Sequence, residues 1–106
     1  MSNSIKSSLS NIVLIFLIIL NYSHADCAVD VNNQVFCSKE LVGGAAINKQ
    51  GIVMCGGGKC AQNKEGEVVC SAGVGGGVAV DNKGKIYCAV ECRLGSRDEC
   101  ELANQY

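Results

Sequence analysis

The chain is short of the side chains that most enzyme sites and most cores need. Its 106 residues hold one histidine, no tryptophan and two phenylalanines. The longest apolar run, Ile12 to Leu20, is nine residues, well under the roughly 20 that span a bilayer. Set between Lys6 and the small-x-small ending Ser23-His24-Ala25, that run matches a secretory signal peptide, so residues 1–25 are expected to be removed and Asp26 to begin the mature protein. Cleavage would take with it His24, Phe16 and the single N-x-S/T sequon, Asn21-Tyr22-Ser23.

Each shortage excludes something. Without histidine, the 81 residues from Asp26 to Tyr106 can assemble neither a Ser-His-Asp nor a Cys-His site. The carboxylate pairs Glu65/Glu67 and Asp98/Glu99 are expected on solvated turns, where nothing raises a pKa for acid catalysis. The chain is therefore read as not an enzyme. Eight Lys/Arg against ten Asp/Glu leave the mature part without a basic stripe, so neither nucleic acid nor an anionic lipid surface is an expected partner, and no stable membrane insertion is expected. The C-terminal Ala-Asn-Gln-Tyr carries no retention or lipidation motif. The expected location is secreted and extracellular.

No cofactor or metal is expected either. Cys55-x4-Cys60 and Cys88-x3-Cys92 are loosely ligand-like, but secretion favours oxidation over zinc. Gly56-Gly57-Gly58-Lys59 lacks the Ser/Thr and the helix of a phosphate loop. Asp81-Asn82-Lys83-Gly84 is better explained as a turn than as part of an EF-hand.

Cysteine and glycine are what the chain has in plenty, eight and thirteen. Cys27, Cys37, Cys55, Cys60, Cys70, Cys88, Cys92 and Cys100 read as four disulfides. A fold of about 80 residues draws only about 3–5 kcal/mol from its core and needs such staples.

The cysteines also mark a repeat. Residues 27–55 and 60–88 align without a gap over 29 positions, ten of them identical, at a period of 33. Inside this lies an eleven-residue unit present four times, at 27–37, 45–55, 60–70 and 78–88. Its second residue is always alanine (Ala28, Ala46, Ala61, Ala79) and its eleventh always cysteine. The fourth is Asp30, Asn48, Asn63 or Asp81, and the seventh is Asn33, Gly51, Gly66 or Gly84. Asp or Asn three residues before Gly suits a type I turn closed by a left-handed residue, with Asn the next best choice after Gly. Each unit is thus a predicted β-hairpin with a three-residue loop, and the fold class is small, all-β and disulfide-rich: four tandem hairpins in two 33-residue repeats, with a truncated third repeat at 92–100 as a cap.

The loop length predicts register. Cys27 should face Cys37 and Cys60 face Cys70. One hairpin face carries Val29/Val35, Ile47/Val53, Gln62/Val68 or Val80/Ile86 with the cysteines; the other sets alanine against Phe36, Met54, Val69 or Tyr87. Small against large would let neighbouring hairpins nest. The glycines at 43–44, 56–58 and 75–77 permit reversals between them, and residues 99–106 are expected as a short helical or frayed tail.

Register favours the disulfides Cys27–Cys37 and Cys60–Cys70. Position in the repeat suggests Cys92–Cys100, leaving Cys55–Cys88 to tie the halves. A loop closed at Cys92 and Cys100 would carry Arg93 and Arg97, the candidate partner-binding residues, in the manner of an inhibitor entering a trypsin-like pocket. Leu41-Val42 is a second exposed candidate.

The Cys-Ala-x-Asn-x-x-Gly-x-Val-x-Cys units separated by glycine runs, over Cys27 to Cys88, resemble small cysteine- and glycine-rich secreted proteins of arthropods, among them venom and salivary components. The resemblance implies a secreted effector acting on an extracellular protein target and carries over no functional residue. Three classes follow: a venom or secretory effector that acts by binding, a serine-protease inhibitor using the Cys92–Cys100 loop, and a structural extracellular or matrix component.

Overall fold

The computed structural model describes residues 25–104. Most of the expected signal peptide lies outside the described residues.

All four turns form as the unit requires. In the first, the Asp30 carboxylate accepts from the Asn32 and Gln34 amides at 2.9 and 2.8 Å. Asn48 does the same for Gln50 and Ile52, Asn63 for Glu65 and Glu67, and Asp81 for Lys83 and Lys85. The seventh residue is left-handed in each: Asn33 at φ 65°, Gly51 at 82°, Gly66 at 84° and Gly84 at 84°, the conformation that glycine takes without strain.

These turns set the register of four antiparallel hairpins. Strand β1 (Cys27–Val29) pairs with β2 (Val35–Ser38), placing Cys27 opposite Cys37 and Ala28 opposite Phe36. Strand β3 (Gly44–Ile47) pairs with β4 (Val53–Gly56), Ala46 opposite Met54. Strand β5 (Cys60–Gln62) pairs with β6 (Val68–Ser71), Cys60 opposite Cys70. Strand β7 (Val78–Val80) pairs with β8 (Ile86–Cys88), Ala79 opposite Tyr87. The small, nearly all-β, four-disulfide fold is as the sequence predicts.

The hairpins stack face to face. The core lies between the first two, where Phe36, Val53, Cys55 and Cys100 are buried against Ala28, Ala45 and Ile47. Backbone bonds fasten the turns: the Val31 N–H reaches the Gly51 carbonyl at 2.8 Å and the Lys49 N–H reaches Gly66 at 2.9 Å. A Cβ on Gly51 or Gly66 would stand 2.6 Å from the Cβ of Val31 or Lys49, so stacking and positive φ both demand glycine there. At the opposite end, Ser38 and Ser71, each following a cysteine, are buried and donate to the carbonyls of Gly56 and Ala89 at 2.9 and 2.6 Å. The two bonds lie 33 residues apart, and they satisfy hydroxyls that would be costly to bury unpaired.

The C-terminal segment departs from expectation. Residues 92–100 do not form a cap closed by Cys92–Cys100. Strand β9 (Cys92–Leu94) adds to β6 with Arg93 opposite Cys70. Ser96 exchanges backbone bonds with Cys55 of β4 at 2.9 and 3.0 Å. After a single 3-10 turn (Arg97–Glu99), β10 (Cys100–Leu102) adds to β2, with Leu102 opposite Phe36. The segment is a strap running back across the second strands of hairpins three, two and one. The residues after Glu99 thus begin with a strand, not a helix: Cys100 is drawn into the core, and the neighbouring amides pair with β2.

The strap also settles the remaining cysteines. Cys27–Cys37 and Cys60–Cys70 form as expected. Cys55 pairs with Cys100 and Cys88 with Cys92, in place of Cys55–Cys88 and Cys92–Cys100. Physically, Cys55 and Cys88 belong to hairpins two steps apart in the stack, whereas the strap brings a cysteine to each. Inside the Cys88–Cys92 ring the Glu91 N–H bonds the Ala89 carbonyl at 2.9 Å, a three-residue turn that holds Val90 at φ 71°, a strained conformation for a β-branched residue.

Candidate binding clefts

The stacked turns form one edge of the molecule, and two clefts open between them. The first, about 490 Å³, lies between hairpins two and three. Met54, Val68 and Leu94 form its floor, and Lys49, Glu65 and Glu67 stand on its rim. The second, about 450 Å³, lies between hairpins three and four, with Val69 and Ile86 below and Lys64, Lys83 and Lys85 around it.

The clefts have a common origin. The residue opposite the unit's alanine projects towards the inward valine or isoleucine of the next hairpin. Between hairpins one and two that residue is Phe36, which fills the space against Val53, and the Arg97 guanidinium lies 3.9 Å above its ring, within the range of a cation–π contact. Met54 and Val69 are smaller or more flexible at the corresponding places and leave room. The result is an apolar floor under charged turns, mixed in sign at the first cleft and mainly basic at the second, which suits a partner offering apolar side chains between polar groups.

Asp81 caps the fourth turn with a carboxylate. Its carboxyl is held below the usual value, first by the Lys85 N–H, against desolvation, and further by the Lys83 N–H, the Tyr87 hydroxyl and the Gly84 N–H. The cause is turn capping, and Asp81 is only half-buried; neither property makes it a catalytic acid.

The candidates from sequence separate into two groups. Asn48, Gly51, Asn63, Gly66, Asp81 and Gly84 build the turn edge, and Asn48, Gly66, Asn63 and Gly84 themselves line the two clefts. Arg93 and Arg97 share no loop: Arg93 is exposed on strand β9, opposite Cys70, while Arg97 lies over Phe36 on the 3-10 turn. Arg93 instead borders a groove of about 350 Å³ on the strap side, with Glu40, Val74, Ser96 and Glu99. Leu41 is exposed, and Val42 half-buried. All eight cysteines are in disulfides, and no His, Cys, Asp or Glu side chains cluster as a metal site would need among the described residues. Nor is any helix among them long and apolar enough to cross a membrane.

Nothing in the sequence marks the cleft floors as a site, although the predicted register puts Met54, Val68, Val69 and Ile86 on these hairpin faces. Leu94 had a signal of its own: Cys92-Arg93-Leu94 is echoed by Cys100-Glu101-Leu102, two short strand-like triplets that flank the 3-10 turn. The chain matches no protein-family model, no curated protein and no solved structure.

Proposed function

We infer that the mature chain is a secreted, disulfide-braced effector that acts by binding an extracellular protein, without catalysis. The observation that carries this reading is the turn edge: four capped turns side by side, the first three fastened by backbone bonds, with two apolar-floored clefts between charged rims. A surface fixed by disulfides and capped turns loses little entropy when it binds. The signal-like leader, the disulfide density and the likeness to arthropod venom and salivary proteins support a secretory source. The absence of histidine from the mature sequence supports a non-catalytic role.

The direct test is capture of target-tissue extracellular proteins on the immobilised protein, with Lys64→Glu, Lys83→Glu and Lys85→Glu combined in one variant. Loss of a specific partner by at least about tenfold, near 1.4 kcal/mol, is expected. Undiminished capture by the variant would move the site away from the clefts, and turnover of peptide, ester or glycoside substrates would end the reading. Transcript confined to a venom or salivary gland is the expected distribution.

Inhibition of a serine protease through Arg93 or Arg97 has less support, because the two arginines lie on different elements and no disulfide closes a loop around them. A trypsin-family assay with Arg93→Ala/Arg97→Ala decides it. A structural extracellular role draws on a different feature, the two ends of the stack.

A further inference from the structure

Within the chain, successive hairpins meet in a fixed polarity. The alanine/large face of one packs on the valine/cysteine face of the next, as Ala28 and Phe36 pack on Ile47 and Val53. Further along, the Gln62 side-chain amide donates to the Ile47 carbonyl at 2.7 Å, and Met54 meets Val68 in the floor of the first cleft. At the first two junctions the N–H of the fifth residue reaches the carbonyl of the seventh residue of the next hairpin.

This polarity leaves one half of the same interface open at each end. The first hairpin presents its valine/cysteine face to solvent: Val35 is 39% exposed, whereas Val53 and Val68, at the same place in the next two hairpins, are 0% and 3% exposed. Cys27 is exposed and Cys37 half-buried, where the matching Cys60 is half-buried and Cys70 buried. The last hairpin presents the complementary face: Ala79 is exposed and Tyr87 is 58% exposed, where Ala28 is half-buried and Phe36 buried. The Asn82 N–H and the Asn33 carbonyl, both on exposed residues, stand where the inter-turn bonds of Val31 to Gly51 and Lys49 to Gly66 would continue. Charge agrees with this: Asp30 is the only charged residue of the first hairpin, and the last carries Lys83 and Lys85 against Asp81, a net positive end. The strap runs along the second strands, and its end, Leu102 to Asn104, borders the first face beside Val35. Stacked-repeat proteins that stay single close their ends with polar caps, and among the described residues neither end of this stack has one.

We propose that copies of the protein associate head to tail, the Ala79/Tyr87 face of one hairpin stack seating on the Val29/Val35 face of the next copy. The occupant is a second copy because both halves of an interface used inside the chain are exposed on its own ends. Such a contact is heterologous and does not close on itself, so it builds open chains rather than a two-fold dimer. The inference is independent of what the clefts hold.

Sedimentation of the protein as secreted, across a wide concentration range, tests it. The weight-average mass is expected to rise continuously past twice the monomer mass. Val35→Glu blocks one end and Tyr87→Glu the other, with Ala79→Glu as a second block that leaves the Tyr87–Asp81 bond in place. Each variant alone is expected to remain monomeric, while an equal mixture of Val35→Glu with Tyr87→Glu or Ala79→Glu forms dimers and stops there, since each supplies the intact face the other lacks. That recovery also shows that the variants fold. A monomer at every concentration overturns the proposal, including the case in which residues before Ala25 are retained and cover the first face. So does self-association of either single variant, which would mean that like faces meet, and so does an equal mixture that stays monomeric.

Discussion

The first and last hairpins share turn chemistry and register yet differ in almost everything that confers stability. The first belongs to a three-stranded sheet, β1-β2-β10, and contributes Phe36 to the core. The last is a two-stranded sheet with Tyr87 in solvent. Its stacking is looser as well. Gly84 approaches Lys64 as Gly66 approaches Lys49, but a Cβ there would stand 3.0 Å away instead of 2.6 Å, and no Lys64-to-Gly84 backbone bond forms among the described residues. Local sequence therefore decides that each unit is a hairpin. Its neighbours decide how firmly it is held, and two-stranded hairpins with little cover are marginal by themselves. Stability should fall along the stack from hairpin one to hairpin four, with the last opening first in hydrogen exchange.

The sharpest way to break this gradient is to release the strap. Cys55–Cys100 closes a sequence separation of 45 residues and holds β10 on the first hairpin. On the chain-entropy model its loss costs about 4 kcal/mol. Cys88–Cys92, with a separation of four, should cost only about 2 kcal/mol by the same model. Paired alanine substitutions, Cys55→Ala/Cys100→Ala against Cys88→Ala/Cys92→Ala, compared by denaturant midpoint with the other three disulfides intact, should show the first as clearly worse. Equal losses would mean that the strap contributes little.

Next in size is the pair Phe36→Ala and Tyr87→Ala. The two side chains hold the same place in their hairpins, but only Phe36 is buried. Removing Phe36 should cost about 3–5 kcal/mol by transfer and cavity together, and should free Arg97 from its ring. Removing the exposed Tyr87 should stay within about 0.5 kcal/mol. Comparable effects in thermal unfolding would show that the core is not centred between hairpins one and two.

What was legible in the sequence follows the same division. The turns, the register and the two disulfides that cross a hairpin depend on residues within eleven positions of one another, so the spacing of Asp30, Asn33 and Cys37 and of their counterparts was enough to predict them. The strap was not legible from spacing. Cys100 reaches Cys55, and β10 reaches β2, across more than half of residues 26–106, and nothing between Gly95 and Glu99 announces a return path. The resemblance of 92–100 to a shortened unit pointed to a local loop; what prevailed was pairing of unoccupied strand edges on β6 and β2, which buries backbone groups that a loop would leave to water. Ser38 and Ser71 were visible as an identity between the two long repeats, but their role depends on the stacking that brings the Gly56 and Ala89 carbonyls over them. The clefts were out of reach for the same reason, because each floor joins two hairpins.

The smallest expected effect separates the fourth turn from the second and third by pH. Asn48 and Asn63 cap their turns with uncharged oxygens, while Asp81 uses a carboxylate that accepts from Lys83 and Lys85 at 2.9 and 2.8 Å and from the Tyr87 hydroxyl at 3.3 Å. These bonds favour the charged form and lower its pKa below the ordinary 3.8, the Lys85 amide contributing most. A carboxyl whose folded pKa lies below its unfolded value stabilises fully above the unfolded value, and that contribution is lost as pH falls through the folded one. The fourth turn should therefore hold above about pH 4 and weaken only in stronger acid. In an NMR titration the Lys83 and Lys85 amide shifts should move with a midpoint below 3.8, while those of Ile52 and Glu65, bonded to Asn48 and Asn63, should show no carboxylate-capping transition. Asp81→Asn should abolish the transition with little change in stability at neutral pH. A midpoint at or above the ordinary carboxylate value would mean that the capping bonds do not hold the charged form, and that the last turn is looser than its geometry implies.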